Sequence, residues 1–499
     1  MSVPRPASVA LSSAAGRGLL LAAVLGSGMA FLDSTVVNVA LPHIGRDLNA
    51  TLADLQWTVN AYTLMLAAFV LLGGALGDRY GRRTLFLTGV VWFTVASVLC
   101  GFAVSPGMLI ASRTVQGIGA ALLTPGSLAL IQSTVRSEDR GRAIGVWSGL
   151  SGVSTAVGPF LGGWLIDAFS WRWIFFINVP LAAVVVAAGL RWVPESRDAE
   201  AAGRRFDVLG AVLGAVSLGG ITYALVEAPN LGASPAVLVA SAVGLLSGSA
   251  FVFRERRTAA PMLPPWLFKS RQFTAINVVT FFLYAALGVV PFFLVVELQT
   301  VAGYSALVAG VALLPLTVLM LVGSSYAGAL GSKIGPRLPL TVGPLLGAAG
   351  ALLLLAVGPD TNYLTDVLPA ATVMGLGVTL FVAPLTASVL AAVPDHVAGI
   401  ASGVSNAVAR AASMLAVAAL PLAVGLSGKA YADPTAFDRG YRLAMVACAG
   451  LFAVGGVLGW VLVRGGGRRP DAETRVRAQP GVGAQAPAPA DVPEPPASS

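Results

Sequence analysis

Two charged residues interrupt long apolar runs of the chain, and they carry the chemistry that its sequence offers. Asp33 lies in the run at 18–41, and Arg113 lies in the run at 107–132. A charged side chain is costly in hydrocarbon, so it marks a functional site by default. A carboxylate beside a cation stays ionised, whereas one isolated in apolar surroundings binds a proton more readily. We expect a proton-coupling site in which Arg113 or a substrate moves relative to Asp33; a static ion pair is the alternative.

The two residues are expected at similar depth in a membrane. Asp33 follows Arg17 by 16 residues, which is roughly 24 Å of helix and leads to the outer third of the hydrocarbon core. Arg113 lies about 9–10 Å from the outer start of its own run by the same rise per residue. Similar depth would let the two side chains meet.

A charged loop follows the second apolar run, and it reads Gly-Ala-Leu-Gly-Asp-Arg-Tyr-Gly-Arg-Arg. An acid among three arginines invites charge-assisted pairing, and a glycine lets such a turn pack tightly. We expect this loop to latch the cytoplasmic side and to release as the helices move; a plain basic turn is the alternative. The residues concerned are Gly74, Asp78, Arg79, Gly81, Arg82 and Arg83.

The fifth apolar run contains a helix-bending sequence. Proline removes a backbone hydrogen bond and bends a helix, and glycines on the next turn allow close approach to a neighbour. Ordinary kinked packing is the alternative to a functional role. The residues concerned are Gly158, Pro159, Gly162 and Gly163.

Polar and aromatic residues inside other runs are candidates for lining a substrate cavity. Each of them alone is more often a packing residue than a ligand. The candidates are Asn38, Tyr62, Gln116, Tyr284, Phe292 and Arg410. Glu227 and Glu297 lie near outer ends of runs, where we expect them to be solvated.

Several classes of function are excluded by what the sequence lacks. With two cysteines and two histidines, we expect no disulfide framework, no metal site and no cofactor. No phosphate-binding loop occurs, so the chain cannot be an ATP-driven pump by itself. No nucleophile paired with a base is visible, and this disfavours an enzyme. The net charge of +8 is spread over short loops rather than one surface, so we expect no nucleic-acid partner.

The composition is that of an integral membrane protein. The chain is 56% hydrophobic and 11% charged, against about 25% charged residues in a soluble domain. Runs of about 20 apolar residues are long enough to cross a bilayer. Fourteen such runs are expected, at 18–41, 55–77, 84–103, 107–132, 142–166, 173–192, 207–226, 235–253, 273–296, 306–330, 338–357, 363–392, 399–426 and 441–463.

The lysines and arginines between the runs predict their orientation. With the N-terminus inside, inner segments hold 24 of these residues and outer segments hold 5. Positive charge favours the cytoplasmic side of a membrane. We therefore expect the chain to span the cytoplasmic membrane with both termini in the cytoplasm. Residues 1–17 form a polar cytoplasmic segment, and residues 464–499, rich in Ala, Pro and Gly, are expected to be disordered.

An internal repeat divides the chain. The loop from Gly74 to Arg83 recurs from Gly328 to Arg337, at an offset of 254. A second match, at an offset of 258, pairs Gly117, Gly119, Gly141 and Gly145 with Gly375, Gly377, Gly399 and Gly403. Two parallel halves are a recurring plan of secondary transporters, with the substrate between them. We expect six-helix halves at 18–192 and 273–463 and an inserted helix pair at 207–253.

Taken together, these motifs resemble the major facilitator superfamily, specifically its fourteen-span drug:proton antiporter family. The resemblance covers nearly the whole chain and rests on the segments at 32–42, 74–83, 109–121, 158–163 and 171–180. It implies an all-α fold of two six-helix bundles plus two inserted helices. It also implies that Asp33 and Arg113 carry coupling, that Asp78 and its arginines gate, and that the fifth span supports antiport.

The function implied by this resemblance is proton-coupled export of small lipophilic drugs or antibiotics by alternating access, performed by a monomer in the lipid bilayer. Ser332 replaces the acid of the first loop, and Ala411 and Ala412 make the thirteenth span less polar than in many members. A same-fold exporter of a metabolite or siderophore is one alternative. A membrane sensor is another, although no soluble signalling domain is visible.

Overall fold

The computed structural model describes residues 9–197, 207–258, 261–394, 397–427 and 433–463, and within these ranges it is helical without named strands. The predicted disordered tail at 464–499 lies outside the described residues. The helices are α1 (Ala14–Asp47), α2 (Leu52–Tyr80), α3 (Arg82–Gly101), α4 (Pro106–Thr134), α5 (Ser137–Ala168), α6 (Trp173–Phe176), α7 (Asn178–Trp192), α8 (Val208–Leu231), α9 (Pro235–Arg257), α10 (Arg271–Thr300), α11 (Ala306–Val311), α12 (Leu314–Ile334), α13 (Pro339–Leu353), α14 (Leu368–Ala391), α15 (Ala398–Ala423) and α16 (Pro434–Leu462). The prediction of an all-α fold is confirmed.

Thirteen helical stretches in the described ranges are long and apolar enough to cross a membrane. The stretch that falls short is α5, although its 32 residues give about 48 Å of helix. Its first turn carries Glu138 and Asp139, and the rest is rich in glycine and serine. A count of fourteen spans therefore depends on α5 and stays a prediction.

Helix α3 shows how these apolar helices divide their surface. Val91, Val95 and Leu99, spaced by four residues, are exposed, whereas Phe86 and Phe93 are fully buried. Residues four apart lie on one side of a helix. An apolar side chain exposed on such a stripe suits contact with lipid, because lipid, unlike water, imposes no hydrophobic penalty.

Two groups of helices form the molecule, with a hairpin beside them. Helices α1 to α7 pack on one another as the first bundle, and α10 to α16 pack on one another as the second. Helices α8 and α9 contact each other, and α8 lies against α2 and α15. The ion pair between Arg254 and Asp207, at 2.6 Å, ties one end of this hairpin together. The predicted boundaries at 18–192, 207–253 and 273–463 stay predictions.

The two bundles meet at the end of the molecule that holds the connection at 48–51, which we call the outer end; the end that holds Gly81 is the inner end. The Asp167 carboxylate accepts hydrogen bonds from the first two backbone N–H groups of α11, at 3.1 and 2.9 Å. Gln299 donates to a carbonyl of α1 at 2.9 Å, and Gln56 donates to a carbonyl of α15 at 2.6 Å. The outer end is therefore closed.

Candidate functional site

Helices α1 and α4 bring Asp33 and Arg113 together. The guanidinium Nη1 of Arg113 lies 2.5 Å from Oδ2 of Asp33, and the two side chains are 1% and 0% exposed. The prediction that they share one depth is confirmed by this contact. A charge pair so far from water is stable only when its remaining donors and acceptors are also satisfied.

Neighbouring groups satisfy the pair. Gln116 donates to Oδ1 of Asp33 at 2.9 Å and accepts from Arg113 at 2.7 Å, while Nε of Arg113 donates to the Thr58 carbonyl at 3.0 Å. The Arg113 guanidinium also lies 4.2 Å from the centre of the Tyr62 ring, a distance suited to a cation–π interaction. Both carboxylate oxygens of Asp33 therefore have a donor.

The predicted cavity roles of Gln116 and Tyr62 are wrong for this conformation. Gln116 is fully buried, and Tyr62 is 2% exposed with its hydroxyl directed to the Ala30 carbonyl at 3.4 Å. Gln116 follows Arg113 by three residues and so lies on the same side of α4. Both side chains belong to the immediate surroundings of the ion pair instead.

Polar residues of α1 close to this pair, and others in the second bundle, keep accessible surface. Ser34, in the middle of the helix, is exposed, and Asn38 one turn later is half-buried. Tyr284 and Arg410 in the second bundle are also half-buried, and Tyr284 lines a niche of about 40 Å³ together with Asn406. These three of the six predicted cavity residues (Asn38, Tyr284 and Arg410) keep accessible surface.

Phe292 does not line an accessible cavity, contrary to prediction. It is 1% exposed and lies in the core of the second bundle, where its ring meets Phe293 edge-on at 5.5 Å between centroids. The expectation that Glu297 is solvated is also wrong, because its side chain is fully buried against α16. Glu227 is half-buried beside Trp57.

The charged loop forms the turn between α2 and α3. Gly81 has a φ of 119°, which a residue with a side chain rarely adopts. Asp78 pairs with Arg82 one turn later at 2.7 Å. The latch role of Asp78 and its arginines stays a prediction, and the contacts described here lie within the first bundle.

Glu195, a residue that the sequence analysis misses, organises the same turn. Its carboxylate accepts from the backbone N–H groups of Arg83 and Thr84 at 3.0 and 3.1 Å, and from the Thr84 hydroxyl at 2.5 Å. These N–H groups begin α3, so Glu195 supplies acceptors that the helix itself lacks. The available signal in the sequence was an acidic residue among the arginines that follow the sixth apolar run.

Helix α5 packs on α1 through two of its predicted glycines. A β-carbon added at Gly158 would lie 2.2 Å from the Thr35 hydroxyl, and one at Gly162 would lie 2.0 Å from a methyl group of Val36. Atoms other than hydrogen do not approach this closely without a bond, so a larger residue at either position would force Thr35 or Val36 into another rotamer.

The other two residues of the motif face the second bundle. A β-carbon added at Gly163 would lie 2.5 Å from Cα of Leu307, and one at Gly310 would lie 2.3 Å from the Pro159 carbonyl. Helix α5 therefore touches α1 with one side and α11 with another. It is positioned to transmit a movement of α1 to the contact between the bundles.

The described residues contain no group of three or more His, Cys, Asp or Glu that could hold a metal ion. His396 lies outside the described ranges. Cys100 and Cys448 are free and buried. The chemistry that this site offers is that of a buried ion pair next to accessible polar residues of α1.

The fold and the sequence both have known relatives. The family model described as Major Facilitator Superfamily matches residues 23–418. The chain is 37% identical over 462 residues to the puromycin resistance protein pur8 of Streptomyces alboniger, covering 90% of this chain and 91% of that protein. It is 37% identical over 394 residues to the multidrug resistance protein Stp of Mycobacterium tuberculosis (strain CDC 1551 / Oshkosh), covering 78% and 72%.

A solved structure has the same fold. It is a bacterial homologue of the human lysosomal transporter Spinster in an inward-facing and unoccupied conformation, with a TM-score of 0.65 and 18% identity. The alignment covers 90% of this chain and 97% of that one. On the family match and the two resistance proteins, this chain belongs to the Major Facilitator Superfamily and, within it, to the drug-efflux transporters.

Proposed function

We propose that this chain exports small lipophilic drugs or antibiotics across the cytoplasmic membrane in exchange for protons. The observation that carries the proposal is the Asp33–Arg113 pair, which is sealed between α1 and α4 while the next residue, Ser34, is exposed. A group able to bind a proton and accessible surface of α1 therefore belong to adjacent residues.

The names of the relatives support the kind of cargo. One is named for resistance to puromycin and another for resistance to multiple drugs. Sites for small molecules are mostly apolar with a few polar groups, and apolar helices carrying a few polar residues suit such molecules. We extend this cargo class to the present chain, with a monomer in the bilayer as the working unit and both termini in the cytoplasm.

The ion pair gives export its direction. With Asp33 ionised, Arg113 and Gln116 hold the carboxylate, and the outer end is closed. Protonation of Asp33 removes the negative charge that holds Arg113, so α1 and α4 are free to separate. Because α5 contacts both α1 and α11, that separation loosens the outer contact. Proton entry from outside and drug release to the outside then occur in the same state.

The experiment is drug transport by purified protein in liposomes under an imposed pH gradient. We expect Asp33→Asn to abolish the dependence of transport on the gradient, because asparagine cannot bind and release a proton. Asp47→Asn is the matched control, since Asp47 is a second carboxylate of α1 but pairs with Arg172 at the surface. Gradient-driven transport by Asp33→Asn at the rate of the unaltered protein would refute the proposal.

A further inference from the structure

Arg410 is a cation without an anion. It lies in the middle of α15 and is half-buried, and no carboxylate of the described residues comes within ion-pair distance of it. Arg113, in the first half of α4, has Asp33 as its partner. A charge at membrane depth is costly and persists where it faces a cavity or a partner. Arg410 thus has a free charge and accessible surface.

Two tyrosines, one from each bundle, lie near Arg410. Arg410 is close enough to Tyr62 of α2 and Tyr284 of α10 for electrostatic interaction with both phenol groups. Tyr62 also carries the Arg113 guanidinium on its ring. Arg410 therefore lies at the junction of the two bundles and shares one aromatic neighbour with the ion pair.

The remaining surface of α15 on this side is polar and open. Asn406, one turn before Arg410, is exposed, and it lines the niche of about 40 Å³ with Tyr284 and Ser405. Residues four apart lie on the same side of a helix. Asn406 and Tyr284 line this niche, and Arg410 follows Asn406 by one turn of α15.

The carboxylates within the spans do not compensate this positive charge. Both oxygens of Asp33 are occupied by Arg113 and Gln116. Glu297 is buried against α16, and Glu227, in α8 of the inserted hairpin, lies beside Trp57. None of these three carboxylates forms an ion pair with Arg410.

We propose that Arg410 is a recognition site for an acidic group of the cargo, a carboxylate or a phenolate on an aromatic framework, and that the transporter prefers such organic anions to lipophilic cations. The planar guanidinium binds a carboxylate through two parallel hydrogen bonds, and aromatic side chains beside it contact the cargo's rings. This inference rests on the proposed export function, because it names the chemical class of the exported molecule.

The test compares two dyes that share a xanthene ring system but differ in charge, fluorescein as the anion and rhodamine 6G as the cation. Purified protein in liposomes is supplied with either dye under an imposed pH gradient. We expect the unaltered protein to transport fluorescein at least tenfold more efficiently, as kcat/KM, than rhodamine 6G. We expect Arg410→Gln to lower the fluorescein value at least tenfold, mainly by raising KM, and to leave the rhodamine 6G value unchanged or higher.

Two further variants keep the test interpretable. Arg410→Lys keeps the charge and is expected to retain part of the fluorescein transport, which shows that the site rather than folding is affected. Arg442→Gln removes an arginine of α16 that pairs with Asp438 at the surface, and we expect both dyes to be transported normally.

The results that overturn the inference differ from those that overturn the proposed function. Gradient-driven transport with rhodamine 6G preferred, or an equal fall for both dyes in Arg410→Gln, refutes the anion site and leaves proton-coupled export intact. Transport of neither dye, nor of any drug, under the gradient refutes the export function and the anion site together.

Discussion

Replacing Arg113 with methionine is expected to destabilise the protein strongly. The Asp33 carboxylate would stay fully buried with the Gln116 amide as its donor at 2.9 Å. Removing one member of a buried pair costs about 3–5 kcal/mol, because the remaining charge has neither water nor a counterion. The lost hydrogen bond to the Thr58 carbonyl adds about 1 kcal/mol. We expect the free energy of unfolding to fall by about 4–6 kcal/mol.

A double-mutant cycle separates the charge pair from its packing. Apolar replacement of both members of a buried pair is often neutral or stabilising by about 1–4 kcal/mol. We therefore expect Asp33→Leu combined with Arg113→Met to recover the stability that Arg113→Met loses, while proton-coupled transport stays absent. Equilibrium unfolding of all four proteins in detergent micelles measures the coupling energy.

The reasoning is refuted if the effects of the two single substitutions add within about 0.5 kcal/mol, as they do for independent sites. The pair between Arg172 and Asp47 is the control. Its atoms are also 2.5 Å apart, but the side chains are 32% and 48% exposed. An exposed pair contributes at most about 1 kcal/mol, so the same cycle there is expected to give a small coupling energy.

Two further predictions concern the contacts around α5 and α3. Gly163→Val places a β-carbon 2.5 Å from Cα of Leu307. Overpacking of this kind costs about 1–3 kcal/mol, so we expect the state with a closed outer end to be destabilised by that amount. A cysteine introduced at Gln56 should then react faster with a membrane-impermeant maleimide, and an unchanged rate contradicts the prediction. The control is Gly145→Val, because a β-carbon at Gly145 meets nothing within 4 Å. Glu195→Ala removes the acceptor for the first N–H groups of α3, at a cost of about 1 kcal/mol. Amide hydrogen exchange at Arg83 and Thr84 should accelerate, and equal exchange in both proteins counts against the assignment.

Asp33 and Arg113 can be located from the sequence, because a charge inside an apolar run is visible without a structure. The direction of a side chain is harder to read, since it depends on how each helix is rotated against its neighbours. Gln116 and Phe292 show this limit. Both lie in the expected helices, but both side chains are buried inside a bundle rather than lining a cavity. Glu297 is misjudged for the same reason.

Contacts between distant parts of the chain are beyond pattern reading. Glu195 lies 112 residues from the Arg83 N–H group that it binds, and neither residue's local sequence requires the other. The span count shows a different limit. Helix α5 is long enough to cross the membrane, but its glycine and serine residues serve contacts with α1 and α11, so composition alone undercounts it.

The contact of α5 with α11 has a consequence for the speed of the transport cycle. The parts that separate there are a backbone carbonyl at Pro159 and bare α-carbons at Gly163 and Gly310. Long side chains must change rotamers to leave an interlocked surface, whereas such a smooth surface separates with little rearrangement. We therefore expect the hydrogen bonds of Asp167, Gln299 and Gln56 to contribute much of the energy barrier to parting, so that single polar substitutions there change the turnover rate.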